Sequence, residues 1–453
     1  MIIIIGMAIV IGGIIVFKMH PIFALLFGAL VVALLTPGTN ITEVGAKIAA
    51  NFGTTCGRIA ILIIMAGVIG KCMLESGAAE RIVRSFLKLC GLENTPLALI
   101  ITSFFVGIPV FFDTLVLMMF PLAKSLTIRT NKNYLFYILC IIAGAAMANG
   151  LVPPNPGPIY LAEAMQIPID TMIIGGIIVG SFTLISGYFW AKWANKKWDI
   201  PLRDSPEAKL EDIRNASEKN ENLLPPLSIS LLPVMVPITF IIAANFIQNF
   251  LGISADGKPL LQLVMFFGEK NIALTTGAII AILILAKQIG LKGGGVGKSV
   301  SAAILGIGPI ILITGAGGAF GAMLQQTGIS AVIANMTQGY QMALIPLAFV
   351  VATAIRTAQG SATVSLLTTA GVFAGMITSG ELQLEYNPMY IAFAIGCGSK
   401  MIAWMNDSGF WVVTKMSGFN EREALKTYSP MLAIMGFTGL IVCMIGAKFL
   451  PFV

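Results

Sequence analysis

The 453-residue chain contains one histidine, six cysteines and only 11% charged residues. The cysteines are scattered without the CxxC spacing of metal and redox sites, and we interpret them as small buried side chains. The chain has no HExxH motif, no Walker loop and no Gly-x-Ser-x-Gly segment. These absences argue against an enzyme, against ATP-driven transport and against a resident metal or cofactor. The single histidine, His20, lies between two apolar segments and is interpreted as a loop residue, with a proton-binding role as the alternative.

Apolar sequence dominates the chain instead. Hydrophobic residues make up 57% of it and the mean hydropathy is +0.90. A helix needs about 20 such residues to cross a ~30 Å hydrocarbon core. Uncharged apolar runs that approach or reach this length are Ile2–Phe17, Pro21–Leu35, Leu232–Phe250, Ile272–Ala286 and Met431–Ala447. We therefore expect an all-α, multi-pass protein of the inner (cytoplasmic) membrane, embedded in the lipid bilayer.

The net charge of +7 comes from lysines and arginines in short loops. Basic residues in short loops mark the cytoplasmic side of a membrane. An external amino terminus places nearly all of them inside, among them Lys18, Lys124, Lys287 and Lys415, together with the polar stretch from about 192 to 224. The charge therefore predicts topology, and we expect no nucleic-acid partner.

Two parts of the chain resemble one another. Residues 67–77 (GVIGKCMLESG) have the same glycine spacing as residues 318–328 (GAFGAMLQQTG). In the same order along the chain, GIPVFFDT matches QGSATVS, and VPPNPGP matches MNDSGF. Paired Gly/Pro-interrupted segments in two halves of a membrane protein are typical of a transporter's substrate site near the bilayer midplane.

The loop charges indicate that the two copies run in opposite directions. Arg81, Arg84 and Lys88 follow the first copy, so its end is predicted to be cytoplasmic. No basic residue follows the second copy until Arg356, so its end is predicted to be external. We therefore predict two inverted-topology repeats with an odd number of crossings in each.

Each repeat is predicted to hold about five transmembrane helices together with a re-entrant hairpin and a Gly/Pro-broken helix. The predicted divisions are a first repeat over 1–194, a cytoplasmic linker over 195–225 and a second repeat over 226–453. The predicted segments are 2–17, 22–36, 45–74, 95–128, 134–166 and 171–194, then 226–250, 271–287, 300–326, 342–379, 389–414 and 429–450. The hairpin segments, 95–128 and 342–379, could each instead form two full crossings.

Charged residues inside apolar segments cost about 2.5–3.5 kcal/mol at a helix centre, so each is a candidate for function. Asp113 lies in the first hairpin, Arg356 in the second, and Asp407 in the second broken helix, with Lys400 close to it. We predict that Asp113 or Asp407 takes the coupling ion. The structural alternatives are helix N-caps for the two aspartates and an ion pair or carbonyl contacts for Arg356.

The broken segments suit an anion. Four prolines within residues 153–158 remove backbone donors, and the ends of the half-helices offer N–H groups with partial positive charge. We predict that Arg356 and the turn Gln359–Thr363 bind a carboxylate, while two asparagines meet substrate hydroxyls. The predicted substrate-binding residues are Arg356, Gln359, Gly360, Ser361, Thr363, Asn155, Gly157 and Asn406.

Over nearly its whole length the chain resembles the gluconate:proton symporter (GntP-type) permease family. The stretches that carry the resemblance are KMHPIFALL, GKCMLESGAAERI, GIPVFFDT, LVPPNPGP, GAGGAFGAMLQQTGI, RTAQGSATVSLLTTAG and GCGSKMIAWMNDSGFW. The resemblance implies proton-driven uptake of sugar acids or related small carboxylates. Many sugar-acid permeases of the family read PPHPGP where this chain has Asn155, and FFE where it has Asp113. These departures bear on gluconate as the substrate and on any proton path through position 155.

The predicted function is secondary active, proton-coupled symport of a small organic anion, either a gluconate-like sugar acid or a hydroxy acid. The alternatives are a sodium-coupled carboxylate symporter, an anion antiporter or exporter, and a channel or sensor with a static pore. The architecture is also similar to that of transporters with paired re-entrant hairpins, which makes a homo-oligomer compatible with the sequence.

Overall fold

The computed structural model describes residues 2–90, 94–130, 133–203, 224–245, 247, 258–290, 294–326, 341–378, 384–405 and 407–452. The regular elements within these ranges are helices. Eight of the described helices are long and apolar enough to cross a membrane. The prediction of an all-α polytopic membrane protein is therefore confirmed.

The first half of the chain forms nine described helices. They are α1 (Ile2–Ile15), α2 (Pro21–Leu35), α3 (Val44–Glu75), α4 (Ala78–Cys90), α5 (Thr95–Gly107), α6 (Phe112–Thr130), α7 (Tyr134–Leu151), α8 (Pro156–Ala164) and α9 (Ile169–Lys197). The second half forms nine more within its described ranges. They are α10 (Leu227–Asn245), α11 (Pro259–Gly268), α12 (Lys270–Ile289), α13 (Gly295–Gln325), α14 (Leu344–Gln359), α15 (Ala362–Ile377), α16 (Met389–Gly398), α17 (Ser408–Ser417) and α18 (Glu421–Phe449).

The two segments predicted as hairpins are helix pairs with short tips. Residues 108–111 join α5 to α6, and Gly360 with Ser361 joins α14 to α15. Gly360 has φ +72°, a left-handed conformation that glycine adopts without steric cost. Helices α5, α14 and α15 have 13, 16 and 16 residues, fewer than the roughly 20 needed to span a bilayer. Helix α6, however, has 19 residues, and α14 with the turn before it, Gln341–Gln359, is one of the eight candidate spans, so the choice between re-entrant hairpins and full crossings stays a prediction.

The two segments predicted as broken helices are interrupted where the sequence indicates. Helix α7 ends at Leu151 and α8 begins at Pro156, while α16 ends at Gly398 and α17 begins at Ser408. Proline is well suited to the first turn of α8, because a backbone N–H there has no partner inside the helix. Each half therefore contains one hairpin followed by one interrupted helix.

Helix α7 lies at the centre of the molecule, packed between α5 and α9 and buried along nearly its whole length. The long helices α3 and α13 pack against each other, and α13 also packs on α15. The last contact is between backbones: a Cβ atom built on Gly371 would lie 2.8 Å from the Gly317 Cα, and one on Gly375 would lie 2.5 Å from the Gly321 carbonyl oxygen. Larger side chains at these positions would force the two helices apart.

Two described helices were not predicted. Helix α4 is amphipathic and carries the basic residues that were assigned to a loop, and α11 is a short apolar helix of 10 residues before α12. Most of the predicted linker, residues 204–223, lies outside the described residues. The division into repeats, their inversion and the orientation in the membrane stay predictions.

Candidate functional site

The hairpin tips and the helix breaks meet at a cavity of about 110 Å³. Three of the helices that line it begin there: α6 at Phe112, α15 at Ala362 and α17 at Ser408. A smaller adjoining cavity of about 10 Å³ is lined by Pro156 and Gly157, at the start of α8. Helix N-termini present unpaired N–H groups and the positive end of the helix dipole. Four such ends around one site favour an anion.

Arg356 and Asp407 form a buried ion pair in the wall of this cavity. The Arg356 Nη2 donates to the Asp407 Oδ2, and the two residues are each only 4% exposed. The other Asp407 oxygen, Oδ1, accepts from the Gly409 backbone N–H at 2.9 Å and so caps α17. Both structural alternatives are therefore present, an ion pair for Arg356 and a cap for Asp407. The Arg356 Nε and Nη1 are buried without a hydrogen-bond partner among the described residues.

Asp113 and Lys400 bring a second pair of opposite charges to the cavity. Asp113 stands in the first turn of α6, its residue is exposed, and its side chain makes no ion pair with another described residue. Lys400 follows α16, is 5% exposed and lines both cavities. With Arg356 and Asp407 counted, the charged side chains of the described wall are two acids and two bases. The formal charges of these four side chains therefore sum to zero.

A chain of hydrogen bonds leads from Lys400 to the tip of the first hairpin. The Lys400 Nζ lies 3.5 Å from the Asn149 Oδ1, and the Asn149 Nδ2 donates to the Asn155 Oδ1 at 2.8 Å. The Asn155 Nδ2 then donates to the Gly107 and Ile108 carbonyl oxygens at 2.7 and 2.8 Å. Asn155 is 3% exposed. Its amide therefore holds the hairpin tip against the helix break.

The turn of the second hairpin gives hydroxyl groups to the cavity. Ser361 and Thr363 both line it. The Ser361 Oγ accepts from the Val364 backbone N–H at 3.3 Å, which caps α15 and leaves its own O–H available as a donor. Gln359 points elsewhere: its Nε2 lies 3.4 Å from the carbonyl oxygens of Ile14 and Met19, at the end of α1.

The structure brings together five of the residues singled out from the sequence: Asp113, Arg356, Ser361, Thr363 and Asp407. Asn155 and Gly157 lie at the adjoining smaller cavity, Gly360 forms the turn, and Gln359 is directed away. Asn406 lies outside the described residues. The sequence analysis did not identify Asn149 and Tyr428, and named Lys400 without a role. All three line the main cavity.

This combination of paired hairpins, interrupted helices and a buried polar cavity between them defines a polytopic membrane transporter. The model of the GntP family permease matches residues 1–449, and the chain belongs to this family. The family is one of permeases and is not a family of enzymes, and this membership places the chain among multi-pass proteins of the inner membrane.

Curated relatives match over almost their full length. The chain is 30% identical to the inner membrane permease YgbN of Escherichia coli over 432 residues, which are 94% of this chain and 93% of that protein. It is 28% identical to the gluconate permease of Pseudomonas aeruginosa, over 94% of this chain and 92% of that protein. It is also 28% identical to the gluconate permease of Bacillus subtilis, over 93% of each.

Two solved transporters share the fold at low sequence identity. MtrF of Neisseria gonorrhoeae, described with a class of antimetabolite efflux pumps, superimposes with a TM-score of 0.66 and 14% identity over 96% of both chains. The YdaH transporter of Alcanivorax borkumensis superimposes with a TM-score of 0.60 and 13% identity, over 95% of this chain and 98% of that one.

Proposed function

We propose that this permease is a secondary active symporter that takes up a small organic anion, a gluconate-like sugar acid or hydroxy acid, together with a proton. The observation that carries this proposal is Arg356, a buried guanidinium at a cavity where helices begin, two of whose nitrogens have no hydrogen-bond partner among the described residues. A buried donor without a partner costs free energy that a bound acceptor would recover. A carboxylate is the acceptor that fits a guanidinium best.

The cavity supplies further groups that suit a hydroxylated carboxylate. Lys400 adds a second positive charge, and the starts of α6, α15 and α17 add backbone N–H groups. Ser361 and Thr363 offer hydroxyls to the substrate, and the Asn149 amide lines the same wall. Gly157 permits close approach at the adjoining cavity, where a Cβ would lie 3.1 Å from the Leu366 side chain. Asn155 acts on the substrate through Asn149, and Asn406 is proposed as a further hydroxyl-binding residue.

The charge balance of the site supports a coupled cation. Two acids and two bases are neutral together, so a bound monocarboxylate leaves one negative charge in a site where Arg356, Asp407 and Lys400 are only 4–5% exposed. A proton on Asp113 restores neutrality, because Asp113 is the wall carboxylate that makes no ion pair with a described residue. Asp407 is already engaged by Arg356 and by the Gly409 N–H. We therefore assign the coupling proton to Asp113, with a sodium ion at the same position as the alternative.

The two halves are proposed to act as inverted repeats, 1–194 and 226–453, joined by the linker 195–225. Each half contributes one hairpin and one interrupted helix in the same order, and their tips meet at one cavity. Movement of this central assembly relative to the long helices α3 and α13 would expose the cavity to each side in turn.

The gluconate permeases among the relatives support a sugar acid as the substrate. Asn155 stands where many sugar-acid permeases of the family carry a histidine, so a smaller hydroxy acid is the alternative within the same class. Both kinds of substrate carry the carboxylate that Arg356 and Lys400 would bind.

Uptake into proteoliposomes tests the proposal. Purified protein is reconstituted, and radiolabelled gluconate, glycerate, lactate and succinate are supplied under an imposed pH gradient or, separately, an imposed sodium gradient. We expect accumulation of a hydroxylated carboxylate under the pH gradient and its loss in Arg356→Gln. The control is Arg203→Gln, which removes a guanidinium whose ion pair with Glu423, at 2.7 Å, lies away from the cavity.

The outcomes separate the alternatives. Accumulation under the sodium gradient alone would replace the proton by sodium. Net movement only in exchange for an internal anion would indicate an antiporter, and equilibration without accumulation would indicate a channel. Unchanged uptake by Arg356→Gln would remove Arg356 from the substrate site.

A further inference from the structure

A second polar cleft, larger than the cavity at the hairpin tips, lies between α3, α8, α13 and α15. Its volume is about 260 Å³, against about 110 Å³ for the cavity of the transport site. We define it as the α3–α15 cleft. The polar side chains that line it are Asn51, Thr54, Thr55, Arg58, Tyr160, Glu163, Gln166 and Thr378.

We infer that the α3–α15 cleft is a second binding site for the same class of small hydroxylated carboxylate, distinct from the transport site. The inference rests on the proposed function for the class of ligand, but it has its own residues. None of the eight polar side chains of the cleft lines the transport cavity.

Tyr160 is the first observation behind this inference. Its side chain is 1% exposed, and its hydroxyl has no hydrogen-bond partner among the described residues. The hydroxyl lies next to Gly317, which also lines the cleft: a Cβ on Gly317 would be 2.8 Å from the Tyr160 oxygen. A buried tyrosine hydroxyl normally finds a partner. Here a ligand in the cleft would provide it.

Arg58 is the second observation. It lines the cleft, its residue is exposed, and it forms no ion pair with another described residue. The carboxylate in the same wall, Glu163, is already paired with Lys270. Because Lys270 neutralises Glu163, Arg58 is the charged side chain of the described wall whose charge is not compensated by an ion pair. A monocarboxylate is the ligand that this charge would attract.

Side chains close to Tyr160 and Arg58 would recognise the hydroxyl groups of the ligand. Thr55 makes no hydrogen bond within the described part of the chain, and its hydroxyl faces Gly318, where a Cβ would lie only 2.0 Å from the Thr55 oxygen. The absence of a Cβ at 317 and 318 leaves room beside the Tyr160 and Thr55 hydroxyls on the side of the cleft. Several hydroxyl groups beside one cation match a polyhydroxy acid better than a simple fatty acid.

The cleft and the transport site lie along the same two helices. Helix α8 begins at the smaller cavity with Pro156 and reaches the cleft at Tyr160 and Glu163. Helix α15 lines the transport cavity at Thr363 and the cleft from Gly371 onward, which corresponds to about 12 Å along the helix axis at 1.5 Å per residue. The cleft would therefore hold the anion about 12 Å along α15 from the transport site.

Equilibrium binding of radiolabelled gluconate to the purified full-length protein tests this inference. We expect two bound anions per wild-type chain and one in Tyr160→Phe, with affinity at the cleft at least tenfold weaker. The same loss is expected in Arg58→Gln. Tyr160→Phe removes a hydroxyl with no described protein partner, so thermal stability should not fall.

Tyr386→Phe is the matched control, since its hydroxyl donates to the Gln341 carbonyl oxygen at 2.8 Å, away from the cleft. Lys47→Gln is the control for charge on α3, because Lys47 pairs with Glu43 at 3.3 Å.

Arg356→Gln distinguishes this inference from the proposed function. Each single variant, Arg356→Gln or Arg58→Gln, should keep one gluconate site. Loss of that remaining site in the double variant Arg356→Gln/Arg58→Gln supports both proposals. A single wild-type site that Arg356→Gln abolishes and Arg58→Gln leaves intact would overturn the cleft and keep the transport site. Two wild-type sites that Arg356→Gln leaves unchanged, with one lost in Arg58→Gln, would keep the cleft and overturn the transport site. A wild-type protein that binds no gluconate would overturn the sugar-acid assignment of both.

Discussion

Arg356, at the end of α14, and Asp407, directly before α17, neutralise one another in the cavity wall although they are 51 residues apart in the chain. The pair joins the second hairpin to the second interrupted helix, and each side chain is about 95% buried. Removal of one partner from such a pair leaves an uncompensated charge in a poorly solvated place.

Asp407→Asn is therefore expected to destabilise the protein by about 3 kcal/mol and to abolish uptake. The double variant Arg356→Gln/Asp407→Asn removes both charges and should recover most of the stability without recovering uptake. Thermal unfolding in detergent and proteoliposome uptake measure the two effects. Glu423→Gln, which breaks the more exposed Arg203 pair, is the control and should cost less than about 1 kcal/mol. Transport by the double variant would show that the pair is purely structural.

Asp113→Asn is expected to separate transport from its driving force. An asparagine mimics the protonated carboxylate permanently, so the variant should exchange labelled for unlabelled substrate but should not accumulate substrate under a pH gradient. Asp113→Glu, which keeps a carboxylate at this position, is the control and should keep coupling. Accumulation by Asp113→Asn at the wild-type level would place the coupling ion elsewhere.

Asn155→Ala is expected to weaken both the fold and substrate binding. It removes the donor for the Gly107 and Ile108 carbonyl oxygens, at a cost of about 1–3 kcal/mol. Because the same chain of hydrogen bonds reaches Lys400 through Asn149, we also expect the KM for uptake to rise. Asn195→Ala breaks a comparable network, with Phe136 and Asn133, and should lower stability without changing KM. An unchanged KM in Asn155→Ala would confine its role to folding.

Gly70→Ala is expected to disrupt the contact between α3 and the tip of the first hairpin. A Cβ at this position would lie 2.3 Å from the Pro109 carbonyl oxygen, which belongs to the backbone and cannot rotate away. Gly57→Ala on the same helix meets nothing within 4 Å and should stabilise the protein by up to about 1 kcal/mol. We expect Gly70→Ala to lose uptake and thermal stability while Gly57→Ala keeps uptake. Normal uptake by Gly70→Ala would show that the tip can shift without consequence.

Most of the helices could be predicted because proline and glycine residues mark where apolar segments are interrupted. Prolines 153 to 158, and Gly360 between Gln359 and Ser361, mark the helix break and the hairpin turn where the structure has them. Arg356, Asp113 and Asp407 were recognisable as rare charges within apolar segments. Both kinds of signal can be recognised in the sequence without knowledge of tertiary contacts.

The partners of these residues were harder to predict. Asn149 lies in GAAMANG, on a helix that is buried on all sides, so no periodic pattern shows which face of α7 meets the cavity. Gln359 and Arg356 are neighbours in sequence, yet Gln359 contacts the end of α1 instead of the cavity. Helix α11 has only 10 residues, so a search for apolar runs long enough to cross a membrane does not find it. Such details depend on packing between distant segments, which a single sequence does not specify.

The four helix starts around the cavity have a consequence for how this lineage diversifies. Their positive ends belong to the main chain, so point substitutions of the surrounding side chains leave them in place. If the site binds an anion as proposed, this preference is inherited with the architecture. Substitutions at positions such as Asn155 and Lys400 can then change which anion is accepted without loss of the preference itself. Related permeases with different substrates are the expected result of selection on such a scaffold.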